Sequence, residues 1–267
     1  MNSGLSASAQ KVIQDYLHLP FPGRDFSCPY YNNQRTKVRA ALRVLVGKGS
    51  AEDIVAEAQI ISLRDKINLD SLTDEVLKRF LVEQNIGIDC SALAYYILDA
   101  ECRARGLGPL GKHLKFPYAN NPLRRLLIKL RPVENAGVNT LAHETNSLEV
   151  ALSELRPGDM IIMLNTGFEH RLNHILVVHE VEYANGALCL IRYTHSFKWQ
   201  KDGQYGHGVR QGVIEVVAPT QTLAEQHWQE TGDNDERNET LAQLRRAKTV
   251  TLRRLRCLET ENKKNPD

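Results

Sequence analysis

The chain has 267 residues, 42% of them hydrophobic and 25% charged, proportions that exclude a disordered, collagen-like or low-complexity chain. Its 34 Lys and Arg against 32 Asp and Glu leave a net charge of +2, so any contact with nucleic acid or a membrane surface must be local. The length suits one large domain or two small ones with a core that needs no staples. Val12, Ile13, Tyr16 and Leu17 recur at helical spacing and predict a helix over 7–18. A Pro- and Gly-rich stretch, 19–29, breaks it. Three more helical segments are expected. One covers 36–46. The second opens at Ser50, paired with Asp53 as a capping box, and runs toward Leu63. The third opens at Ser71 with Asp74 and buries Leu72, Val76, Leu77, Phe80 and Leu81.

From Met160 the texture changes to short β-rich runs at 160–164, 175–183, 188–194 and 213–217, with Asn185-Gly186 as a hairpin turn between the second and third. Helices first and consecutive antiparallel strands later describe an α+β fold, not a parallel βαβ sheet. After Pro219 comes an acidic patch (Glu225, Glu230, Asp233, Asp235, Glu236) and then a basic one (Arg245, Arg246, Lys248, Arg253, Arg254, Arg256). These predict a domain over 1–218 and a solvated, charged appendage over 219–267 whose last residues fray. Between Lys112 and Arg131 six basic residues and no acidic ones accompany Leu123, Leu126, Leu127 and Leu130. The simplest expectation is a helix that docks its leucines and exposes its charges; the sharper one is a weak contact with an anionic surface through 112–131.

The N-terminus lacks a basic region followed by an apolar one, and no apolar run approaches the ~20 residues of a membrane span. A cytoplasmic location without a transmembrane segment is expected. Cys28, Cys90, Cys102, Cys189 and Cys257 are an odd, scattered set with no CxxC pair, which points to reduced thiols rather than a disulfide framework or a zinc site. No metal or other cofactor is expected.

The most informative stretch is Gly87-Ile88-Asp89-Cys90-Ser91-Ala92-Leu93. Leu93, Tyr96, Ile97 and Ala100 continue at helical spacing, with Gly106 as the closing residue. Asp89 is a good N-cap, which puts Cys90 in the first turn, where the helix dipole lowers a thiol pKa and the Cys90 N–H is open to an oxyanion. A nucleophilic thiol needs a base. If Asn185-Gly186 pairs Ala184 with Ala187, His174 and His195 project from one face of the hairpin as diagonal neighbours and His179 from the other, unless a bulge inverts the parity. His174 is then the candidate base and His195 the ring that orients it. His207, in a glycine-flanked loop, is an alternative third member or a substrate contact. Trp199, with Lys198, Arg192, Arg210 and Phe197, could line a cleft for an acidic, peptide-like ligand.

Together these residues resemble the NlpC/P60 family of papain-like cysteine peptidases. The matches, in the family's order, are Asp89-Cys90-Ser91, the turn Pro157-Gly158-Asp159, His174 and His195. Cys28-Pro29-Tyr30-Tyr31-Asn32-Asn33 matches the family's Pro-Tyr element, displaced by a helical block at 34–84. Ala92 stands where the family prefers Gly, and the spacing from Cys90 to His174 implies an insertion over 107–150. The resemblance covers about 85–200. It implies a papain-like core with the nucleophile helix packed on an antiparallel sheet. It also implies amide or isopeptide hydrolysis by a Cys90-His174-His195 triad, with Ser91, Tyr30, Tyr31, His207 and Trp199 near the oxyanion or substrate. The implied substrate is a cell-wall-type peptide or peptidoglycan fragment, and no nucleic acid partner is expected. A CHAP-type or transglutaminase-like amidase, or an inactive peptide- or glycan-binding module on the same fold, are the alternatives.

Overall fold

A computed structural model describes residues 2–33, 42–117, 119, 121–167, 169–230 and 235–259. In chain order the elements are β1 (Asn2–Gly4), α1 (Ala7–Leu17), α2 (Ala51–Asp65), α3 (Asp74–Glu83), α4 (Cys90–Ala104), α5 (Pro122–Leu130), α6 (Pro132–Asn135), α7 (Val138–Ala142), β2 (Ser147–Glu149), β3 (Met160–Thr166), β4 (Leu172–Ala184), β5 (Ala187–Phe197), β6 (Gly208–Glu215), β7 (His227–Glu230), α8 (Glu239–Arg246), β8 (Thr249–Leu255) and α9 (Arg256–Glu259). The fold is α+β.

The strands form one antiparallel sheet in the order β2-β8-β3-β4-β5-β6-β7. β1 pairs with Glu180–Glu182 of β4, on the edge that β3 leaves open beyond Val177. One face packs against α1 and α4: Ile162, Ile175 and Val177 meet Ile13, Leu93 and Ile97. The other face carries Met163, Leu176, Val178 and Tyr193 and is covered by Trp228 and by Leu241 and Leu244 of α8. Because both faces are covered, Met160–Met163 is buried at every position, and the sequence there is continuously apolar rather than alternating.

The hairpin β4–β5 sets the geometry of the candidate site. Asn185 and Gly186 both take positive φ (52° and 81°), as a two-residue turn of this hand requires, and Ala184 pairs with Ala187. Cys189 is then an extra residue on β5 and His179 an extra residue on β4. Each bulge shifts the register by one, in opposite senses, so Val178 faces Tyr193 and Val177 faces Thr194, as they would without either. The expected parity therefore survives.

The helical expectations hold for α1 and for α2, whose Ser50–Asp53 capping box is formed on both sides. The third helix is capped by Thr73, not Ser71, because Asn68 caps a separate turn over Leu69–Ser71. Leu77, Phe80 and Leu81 are buried, whereas Val76 faces solvent. Of the segment expected at 36–46, residues 36–41 lie outside the described residues, and Arg43–Val46 forms a single 3-10 turn.

Two expectations are overturned. The segment after Pro219 is no appendage: β7 closes one edge of the sheet and β8 runs between β2 and β3. Its charges alternate with buried side chains, as in His227–Glu230, where Trp228 and Glu230 point inward. Arg254 is buried and grips Asp159 of the Pro-Gly-Asp turn through Nε and Nη2, at 2.7 and 2.8 Å, tying the segment to the start of β3. On α5 the leucines do not dock: Leu126, Leu127 and Leu130 are exposed, and Ile128 is the buried residue. The side chains of 122–125 lie outside the described set. Among the described residues no helix is long and apolar enough to cross a membrane.

Candidate active site

Asp89 caps α4 in extended backbone geometry, its Oδ1 accepting from the Ala92 N–H at 2.8 Å, so Cys90 opens the helix as expected. At that position the Cys90 N–H has no acceptor within the helix. The same carboxylate is held by a group that the sequence reading missed. Lys48, in the turn after Gly47, places its ammonium 2.8 Å from Asp89 Oδ2 and 2.6 Å from Ser91 Oγ. Ser91 Oγ in turn donates to Asp89 Oδ1 at 2.9 Å. All three are buried. The Ser91 hydroxyl thus fastens the loop and is not aimed at an incoming oxyanion. Gly47-Lys48-Gly49 carries no chemical signature in sequence; only the fold brings it to Asp89.

The segment 28–31 lies alongside this loop. Ile88 N–H donates to Pro29 O at 3.0 Å and Tyr31 N–H to Ile88 O at 3.2 Å. A side chain at Gly87 would stand 2.4 Å from Pro29 O, which is why glycine is needed there. The Pro-Tyr segment and the loop leading into Cys90 are therefore neighbours. The cleft beside Cys90, of about 580 Å³, is lined on this side by Asn32 and Asn33 rather than by Tyr30 or Tyr31. Tyr30 turns its ring edge-on to His207, 6.4 Å between centroids, and its N–H donates to His207 Nδ1 at 3.1 Å. His207 anchors that segment, and among the described residues its hydrogen bond and ring contact are with Tyr30, not with His174 or His195. Burial and the nearby Lys198 and Lys78 lower its pKa to about 4. Trp199 is fully buried, its Nε1–H donating to Thr240 of α8 at 3.0 Å, so it lines no cleft.

On the hairpin, His174 Nε2 lies 2.8 Å from His195 Nδ1, as the register requires. The line continues: His195 Nε2 is 3.1 Å from Glu230 Oε1, which also accepts from the Tyr193 hydroxyl. Glu230 Oε2 has no hydrogen-bond partner among the described residues. His195 and Glu230 have no exposed side-chain surface. Glu230 was expected in a solvated acidic patch; the alternation in β7 sends it inward beside Trp228. With a carboxylate as acceptor, His195 carries its proton on Nε2, so its Nδ1 accepts from His174 Nε2–H. The lone pair of His174 is then on Nδ1, the nitrogen facing away from His195. Phe197 packs on His174 at 4.8 Å between ring centres. His179, from the opposite face, bonds Thr194 Oγ1 at 3.0 Å.

Cys90 and His174 reach the same end of β4 from opposite sides. Ile175 packs with Cys90 in the α4-side core, and its N–H points at the Cys90 sulfur. His174 shares the other face with its pairing partner Met163. Asn173 lines the cleft, whereas His174 is buried behind it. No hydrogen bond joins the thiol to the imidazole in this arrangement. The expected lowering of the thiol pKa is also absent. Burial, and then the Asp89 carboxylate, push Cys90 up to about 12, against a smaller opposing effect of Lys48. The dipole of the helix end does not offset loss of water around the sulfur. His174 is held well below the ordinary imidazole value by burial and by His195. The resting pair is a neutral thiol and a neutral ring. Among the described residues no cluster of His, Cys, Asp or Glu could hold a metal ion.

No protein-family model, curated protein or solved structure matches the chain.

Proposed function

We propose that the chain is a cysteine hydrolase of the NlpC/P60 type that cleaves an amide or isopeptide bond in a cell-wall-type peptide. The observation that carries this reading is the line Glu230–His195–His174, which frees the His174 Nδ1 lone pair to act as a base, with the Cys90 sulfur held against the N–H of the next residue, Ile175. Catalysis on this reading requires the Cys90 sulfur to reach Nδ1 around the end of β4, because at rest the two side chains belong to opposite faces of the sheet. His174 takes the thiol proton as sulfur attacks the carbonyl carbon, and returns it to the leaving amine. Water then cleaves the thioester. The Cys90 N–H stabilises the oxyanion. The cleft's amide side chains, with Arg171 at its edge, suit a polar peptide carrying a carboxylate. Glu230 stands behind the second ring and not on His174 itself, which favours this reading over a transglutaminase-like site with an acidic third residue.

A second reading, a catalytically silent peptide-binding module, is favoured by one observation: the neutral thiol has no hydrogen bond to His174. Incubation with synthetic peptides, including branched stem peptides with D-residues, separates the two by amine release. Hydrolysis by the wild type that Cys90→Ala abolishes, by about 10³-fold or more, supports the hydrolase. Binding by both proteins with no turnover supports the module. Alkylation by iodoacetamide should rise about tenfold per pH unit through the neutral range, as for a thiol titrating near 12.

A further inference from the structure

The C-terminal end of the nucleophile helix carries a second sulfur site with no part in the chemistry above. Cys102 of α4 and Cys257 of α9 bring their sulfurs to 3.8 Å. At 1.5 Å per residue, Cys102 lies about 18 Å along α4 from Cys90. The sequence alone gives no hint of this pair, since 155 positions separate its members. Cys102 is fully buried, whereas Cys257 is partly exposed at the start of α9.

We propose that Cys102 and Cys257 are a reversible oxidation site that reacts with hydroperoxides and closes to a disulfide tying α4 to α9. The sulfurs need to approach by under 2 Å, within reach of side-chain rotation, to attain the ~2.05 Å of the bond. The two thiols are not equivalent. The two sulfurs share one S–H···S contact in which either can donate; the pairing raises Cys102 and lowers Cys257, and the nearby His113 lowers Cys257 further. Cys257, the more exposed and more acidic thiol, attacks the peroxide O–O bond. It takes one oxygen to become a sulfenic acid, and the other leaves as water from hydrogen peroxide or as an alcohol from an organic hydroperoxide. Cys102 then attacks that sulfur, forming the S–S bond and releasing water. Two thiols lose two electrons to one peroxide, and a dithiol reductant restores them. Oxidation cross-links residues far apart in the chain and so restricts the unfolded state.

The experiment is a peroxide titration of the full-length chain, followed by peptide mapping without reduction and by thermal unfolding. The expected result is a linked peptide joining Cys102 to Cys257. A rise in Tm of roughly 5–10 °C should accompany it, reversed by dithiothreitol and absent in Cys257→Ser. Cys102→Ala should leave Cys257 trapped as sulfenic acid, which dimedone labels. Linkage of either residue to a different cysteine overturns the proposal. So does a Cys257 that stays reduced, or that oxidises to sulfinic acid without linking, in the wild type. Because the map reads the linked peptide itself, oxidation of Cys90 or the absence of hydrolase activity does not alter the outcome.

Discussion

On the α4 face of the sheet the charges near Cys90 form a closed set: Lys48, Asp89 and Ser91 satisfy one another within one loop and one helix turn. On the α8 face the polar groups form an open line across β4, β5 and β7, ending in a carboxylate whose outer oxygen has no partner among the described residues. A closed set holds geometry and moves no proton. An open line fixes which nitrogen of each ring carries hydrogen, and so decides where a proton can be accepted. On the proposed reading, Cys90 is placed by local capping and the tautomer of His174 is set by long-range pairing.

That contrast breaks most visibly at Glu230. Replacing it with Gln keeps the shape but allows an amide N–H to face His195, reversing both ring tautomers. Turnover should fall by about 10²–10⁴-fold with little change in KM; an unchanged rate would remove the line from the mechanism. Asp89→Asn keeps the helix cap but strands the buried Lys48 ammonium. Urea unfolding should show a loss of about 3 kcal/mol, and Asp89→Ala about 1 kcal/mol more for the lost cap. Equal losses for the two variants would mean that the cap contributes nothing.

A milder test uses pH. His174, His179 and His207 are depressed by burial, the last two to about 4, so the unfolded chain binds protons first as acidity rises. Their stabilising effect is complete above the ordinary value of ~6.5 and is lost as pH falls toward 4. The urea midpoint should drop across that window, and less so in His179→Asn. A midpoint that is flat between pH 6.5 and 4 would refute it. Smallest of all, Leu126→Gln and Leu130→Gln on α5 should shift stability by no more than ~0.5 kcal/mol, since both side chains are exposed. A larger loss would mean that this face is covered.

Features governed by neighbours in the chain were readable in advance: the Ser50–Asp53 box, the Asp89 cap and the Asn185-Gly186 turn each involve residues within a few positions. The pairing of His174 with His195 was readable because only one hairpin separates them. Lys48 and Glu230 were not. Lys48 reaches Asp89 across 41 positions, and Glu230 reaches His195 across 35. Glu230 also sits among acids that face water, and its one local cue was alternation with Trp228. Helix dipole reasoning failed at Cys90 because it ignored burial, and the docking of the α5 leucines failed because periodicity does not say which stripe a helix turns inward.

The two bulges give this hairpin slack in length. Cys189 and His179 are each the extra residue of a bulge, so removing either straightens its strand and leaves every other pairing, and the face shared by His174 and His195, as it is. That spare residue on each arm lets either arm shorten by one while the two rings keep their contact.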